Sequence, residues 1–215
     1  SSYNTELEAE TGVNYEASIA YQSNDMMDLD QFGLSLTVFN TQIDDYIDDT
    51  MTGKASEDKP YRNLGDVDIV GFESAMTFQR EQLNGRLTYS HSDSEFTQVA
   101  QDSGLEKGQS LDDEVGDSVS INLGYNFPEA GIDVSWTSLV TFDLDAEVSA
   151  DSDKEGYDVH SLNMRWVPTT NEDVTVNASI DNIFDEQYAS HASHDFGSTD
   201  YEPGRNIQLS LAYQF

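Results

Sequence analysis

Pro203-Gly-Arg-Asn-Ile-Gln-Leu-Ser-Leu-Ala-Tyr-Gln-Phe215 is the stretch that decides the fold. Ile207, Leu209, Leu211, Tyr213 and Phe215 alternate with Asn206, Gln208, Ser210, Ala212 and Gln214. Successive side chains of a strand point to opposite faces, so this segment is a ribbon with one apolar and one polar face. Its last residue is aromatic, with no polar tail to shield it. A wall with lipid on one side and water on the other calls for this pattern.

Composition narrows the reading further. The 215 residues include 42 acidic and 9 basic ones, a net charge of -33, and only 37% are hydrophobic. No run approaches the roughly 20 apolar residues of a spanning helix, but a spanning strand needs only about 9–11 residues, alternate ones apolar. Binding to nucleic acid needs a basic footprint, which this charge excludes. High net charge also marks disordered chains. Here the 11% aromatic content and the period-two patterning oppose that. There is no cysteine, hence no disulfide or thiolate metal site. The start, Ser-Ser-Tyr-Asn-Thr, shows no charged and apolar leader, so an exported form would have lost its signal or carry it upstream.

Working back from the terminus, alternation predicts nine strands. They lie near Val13–Tyr21, Phe32–Ile47, Val67–Phe78, Leu83–Ser92, Ser118–Phe127, Ile132–Phe142, His160–Trp166, Val174–Ile180 and the terminal segment. Short turns at 80–82, 128–131 and 168–173 alternate with long polar loops near 48–66, 93–116, 144–156 and 185–203, with an intermediate connection at 22–31. A soluble sandwich also alternates, but has no reason to gather its long loops at one end. Tyr21, Phe32, Phe78, Phe127, Trp166 and Phe215 fall beside the short turns, and Tyr46, Tyr89, Phe142, Tyr157 and Phe184 toward the long loops. Two such belts suit the two interfaces of a bilayer. The fold class is therefore all-β, an antiparallel up-and-down transmembrane barrel.

Several segments resemble one family. Asp181-Asn-Ile-Phe-Asp-Glu-Gln-Tyr188, Pro203-Gly-Arg-Asn206 and the Leu-Ser-Leu-Ala-Tyr-Gln-Phe terminus look like the end of a TonB-dependent outer-membrane receptor. Glu8-Ala-Glu-Thr-Gly-Val-Asn-Tyr-Glu16 looks like the start of one of its mid-barrel strands, with Ala9 where proline is usual. Tyr61-Arg-Asn-Leu-Gly65 and Val70-Gly-Phe-Glu73 resemble another. The resemblance implies a 22-stranded barrel with a plug and a TonB box. Residues 1–215 would then be about nine C-terminal strands, incomplete as given, with plug and box absent from this chain. It also implies partners: outer-membrane lipid and lipopolysaccharide, TonB through the missing N-terminal part, the barrel-assembly machinery, and an iron chelate or other small nutrient as cargo. Ile207, Leu209, Leu211, Tyr213 and Phe215 would face lipid and form the assembly signal.

Candidate contact residues sit in the loop before the last strand: Tyr188, His191, His194 and Tyr201. His-x-x-His beside carboxylates suits a metal or a haem iron, although paired histidines in such loops are commonly plain polar surface. His91 and His160 fall on the apolar series near strand ends, an interfacial position. Asp44-Asp-Tyr-Ile-Asp-Asp49, Asp112-Asp-Glu114 and Asp151-Ser-Asp-Lys-Glu155 hold carboxylates enough for Ca²⁺, yet charge runs are usually solvated surface. Arg205 suits pairing with lumen carboxylates. No phosphate loop, cysteine nucleophile or nucleophile elbow occurs, so the chain reads as neither an enzyme nor a cofactor protein. The expected function is outer-membrane import of a scarce nutrient, a ferric siderophore first and haem second. A passive porin-like barrel and a soluble acidic all-β binding domain are the alternatives.

Overall fold

The computed structural model describes residues 4–48, 61–101, 103–145, 153–193 and 200–215. Nine strands form one antiparallel sheet, each pairing with its sequence neighbours. They are β1 (Thr11–Met26), β2 (Leu29–Asp48), β3 (Arg62–Arg80), β4 (Leu83–Val99), β5 (Ser118–Phe127), β6 (Ile132–Thr141), β7 (Tyr157–Trp166), β8 (Val174–Asp181) and β9 (Asn206–Tyr213). The up-and-down order is the expected one, and among the described residues the sheet is open, with one edge of β1 and one of β9 unpaired.

Register makes two chemically distinct faces. One face carries rows such as Leu83–Tyr125–Val134–Met164–Ala178–Leu209, each residue opposite the next. The other carries Asn24–Gln31–Gln79–Asn84–Gly124–Ser135–Asn163–Ser179–Gln208, a row across all nine strands without a charged or an apolar side chain. This polar face is concave, holding a hollow of about 450 Å³ whose floor includes Asn84, Asn122, Asn163, Asn177 and Gln208. On the apolar face Ile207, Leu209 and Leu211 are at least 70% exposed, a density of bare aliphatic surface that only a nonpolar surrounding tolerates.

Strands β5 to β9 span 8–10 residues, the length of a bilayer crossing. β1 to β4, at 16–20 residues, run on past it. Three boundaries therefore differ from the sequence-based ones. The connection near 22–31 is a two-residue turn, Met27-Asp28, both at positive φ as a tight hairpin requires. β3 begins at Arg62 rather than near Val67, and β4 continues to Val99 rather than ending near Ser92.

Along these extensions the polarity of the sheet inverts. Ile43, Val67 and Phe96 now point inward, while Asp44, Asp68 and Glu95 point outward. Leu64, Val67, Phe96 and Leu111 form a small buried core with Ile43, Tyr46, Ile69, Val99 and Leu105 packed on it. Tyr46 meets Phe96 edge-on at 6.0 Å, so it is a core residue and not a member of the outer aromatic belt. Asn63 clips the chain ahead of β1 to this extension: it accepts from Glu8 N at 2.9 Å and donates to the Glu8 and Asp45 carbonyls at 3.0 and 2.8 Å. Glu10 caps Ile47 N at 2.9 Å. The Glu8–Glu10 and Tyr61–Gly65 segments, far apart in sequence, thus serve one joint.

An arginine at Leu209, midway along the apolar face of β9, should cost about 2–4 kcal/mol in lipid, whereas Ser210→Arg on the polar face should cost less than about 1 kcal/mol. Urea unfolding of the intact receptor in bilayers measures both.

Candidate functional site

Three long connections meet at one end of the sheet: 100–117, 142–156 and 182–205. The first doubles back along β4, where Phe96 N donates to Gln109 O and Gly108 N to Phe96 O, both at 2.9 Å. This brings Leu105 and Leu111 onto the inner core. It also buries Glu114, which accepts from Ser94 N at 2.9 Å and from the Ser94 hydroxyl, while Ser94 Oγ accepts from Leu111 N at 2.9 Å. Burial raises the Glu114 carboxyl above its ordinary range, against the lowering effect of the Ser94 bonds.

Lys154 enters from the second connection. Its ammonium has three N–H donors. They reach the carbonyls of Asp112 at 2.6 Å, Glu114 at 2.8 Å and His191 at 2.6 Å. Burial lowers its pKa, and the neighbouring Asp112, Asp113 and Glu114 oppose that shift. His191, in the third connection, is only 2% exposed. Its Nδ1 accepts from Gly116 N at 3.1 Å, which makes Nε2 the donor to the Glu155 carbonyl at 2.9 Å.

The His191 ring stands edge-on to Tyr157 at 5.5 Å, and Tyr157 lies against Tyr188 at 4.5 Å. Burial raises the Tyr188 hydroxyl pKa, helped by Glu202 and Tyr157. Tyr157 lies opposite Thr141 on the polar face, so it belongs to this inner cluster and not to the outer belt. Tyr201 pairs with Ala189 across the third connection and is 54% exposed. Of the four candidate residues, the structure brings Tyr188 and His191 together, leaves Tyr201 at the surface, and His194 lies outside the described residues. Both nitrogens of His191 bond to protein.

At the base of the same connection Asn182, at φ 51° and 4% exposed, donates to Glu186 O and accepts from Glu186 N, each at 2.8 Å. Asp185 accepts from Arg205 N at 2.8 Å, and Arg205 Nη1 donates to Ile183 O at 3.2 Å. Arg205 is therefore bound at the loop end, not to lumen carboxylates. A Cβ on Gly204 would come within 2.7 Å of Asp185 Oδ1. Asp181–Tyr188 and Pro203–Asn206 are two halves of one knot. On the outward face His91 pairs with Asp117 at 2.6 Å beside Phe72, and His160 pairs with Asp158 at 3.0 Å on the face of Trp136.

Residues 1–183 match the family described as TonB dependent receptor-like, beta-barrel. The chain belongs to that family. Its members are outer-membrane proteins. The chain is similar to the FrpB iron transporter from Neisseria meningitidis (F3-3 variant), with a TM-score of 0.75 and 21% identity over 100% of this chain and 33% of that one. For the ferric yersiniabactin uptake receptor FyuA from Yersinia pestis the TM-score is 0.70, with 17% identity over 96% and 30%. TonB-dependent heme receptor A of Haemophilus ducreyi is 24% identical over 165 residues, 72% of this chain and 22% of that protein. The chain thus spans about a third or less of these relatives, which are receptors and transporters, not enzymes.

Substitutions at two positions test how the loops of this barrel are held. Glu114→Ala strands Ser94 N–H and should cost about 1–3 kcal/mol, while Glu114→Gln keeps an acceptor. A carboxyl whose pKa is raised on folding contributes stability that is lost as pH rises through that pKa. The wild type should therefore gain on Glu114→Gln as pH falls, read by urea unfolding at several pH values. Asn182→Ala loses both backbone bonds at a left-handed φ and should cost about 2 kcal/mol, seen as faster proteinase K cleavage after β8.

Proposed function

We propose that this chain is the C-terminal wall of a larger, TonB-energised receptor that imports an iron complex, with its plug and TonB box encoded outside residues 1–215. The observation that carries this reading is the uncharged row from Asn24 to Gln208. In a chain with a net charge of -33, amides and hydroxyls make up most of the polar lining of the hollow, and its two charged residues, Asp133 and Arg165, pair with each other. Such a surface hydrogen-bonds to water or to a polar plug without trapping a charged cargo. The two free strand edges support the larger barrel, because unpaired backbone groups are costly in lipid.

A ferric siderophore is the cargo we favour. Haem is the second reading, suggested by the similarity to a haem receptor. TonB would move the plug, and the extracellular loops would hold the cargo before release into the lumen. Tyr188 and Tyr201 are the proposed contacts from this chain, together with His194. His191 contributes by fixing the loop. Lipopolysaccharide and the barrel-assembly machinery are the proposed partners of the outward face and of the strand ending at Phe215.

Uptake of radiolabelled ferric siderophores and of haem by cells producing the intact receptor tests the reading. Transport should need TonB, and uptake that persists without TonB would mark a passive pore. Tyr188→Ala should weaken cargo binding about tenfold, or ~1.4 kcal/mol, with assembly unchanged.

A further inference from the structure

We propose that Lys154 and His191 form a clasp that makes the three extracellular connections behave as one cooperative body. The inference rests on bonding geometry and is independent of which cargo the receptor takes. Each of the two side chains joins its own connection to both of the others. Lys154 reaches the 100–117 connection at the Asp112 and Glu114 carbonyls, and the 182–205 connection at the His191 carbonyl. The His191 ring reaches 100–117 at Gly116 N, and returns to 142–156 at the Glu155 carbonyl. Five hydrogen bonds thus close a triangle in which every connection is tied to the other two.

Three features make this a clasp rather than a chance surface contact. The Lys154 ammonium has all three donors on backbone carbonyls, so it fixes the course of the chain independently of the side chains there. The site is closed: His191 is 2% exposed, and a Cβ on Gly116 would fall 2.5 Å from the Phe142 carbonyl, so the third corner accepts only glycine. The triangle is also anchored at its rim, where Phe142 N donates to Asp117 O at 2.9 Å and Leu144 bridges to Lys154. Removing one corner removes a bond from each of the other two connections. The Tyr157–Tyr188 pair rides on this frame through the edge-on His191 ring.

Hydrogen–deuterium exchange on the intact receptor tests the proposal. Peptides covering 103–116, 153–156 and 182–193 are followed in the wild type, in Lys154→Met and in His191→Ala, with Lys107→Met as the control at an exposed lysine. Both clasp variants should raise exchange at least tenfold in all three peptides, with β5 to β7 unchanged, and Lys107→Met should leave all three as they are. Attacking the clasp from two different connections guards against one variant's failure to assemble. A rise confined to the mutated connection, no rise in either variant, or the same three-peptide rise in Lys107→Met would overturn the clasp.

Discussion

Inside a bilayer a peptide group has only another peptide group to bond, and that constraint governs the rest of this structure. Each strand from β2 to β8 commits its two backbone edges to its two neighbours, and the commitment fixes which side chains share a face. A slip of one residue would turn every side chain of a strand to the wrong side. The rows containing Leu83 to Leu209 and Asn24 to Gln208 show the outcome: lipid chemistry and water chemistry separated by one sheet thickness, strand after strand. β1 and β9 stand at the two ends of the strand order.

Where the sheet leaves the hydrocarbon, the constraint relaxes and the pattern turns over. Below the boundary apolar side chains point outward. Above it Ile43, Val67 and Phe96 point inward and Asp44, Asp68 and Glu95 outward. This inversion explains which elements were legible in the sequence. β5 and β9 lie wholly within the crossing, so their alternation has one phase and their limits can be read directly. β2, β3 and β4 change phase part-way, and the outer parts of β3 and β4 read as polar loops. The β1–β2 hairpin was obscured differently: Gln22, Asn24 and Gln31 line the polar face near the rim, so a continuous hairpin looks like a polar connection.

The loop site was less legible, and the reason is chemical. Lys154 sits in Asp151-Ser-Asp-Lys-Glu155, where a lone lysine among carboxylates suggests solvated surface. Its partners are backbone carbonyls about 40 residues away in either direction, and every residue has a carbonyl. No sequence pattern marks such an acceptor. His191 read as a metal or cargo ligand because a loop histidine has two free nitrogens until its surroundings are known. Burial beside Gly116 and Glu155 uses both. The family segments were visible as patterns, but their purpose emerges only in three dimensions, as Asn63 bonds Glu8 and Asn182 bonds Glu186.

The division of the sheet into a lipid face and a water face can be measured directly, since residues 1–215 hold no cysteine and any elsewhere in the receptor can be replaced by serine. Single cysteines placed one at a time from Val119 to Phe127 in the intact, membrane-inserted receptor can be reacted with a water-soluble maleimide. Positions 120, 122, 124 and 126 should label, and positions 119, 121, 123, 125 and 127 should resist labelling until detergent is added. Equal labelling at odd and even positions, or labelling at the odd ones alone, would contradict the account.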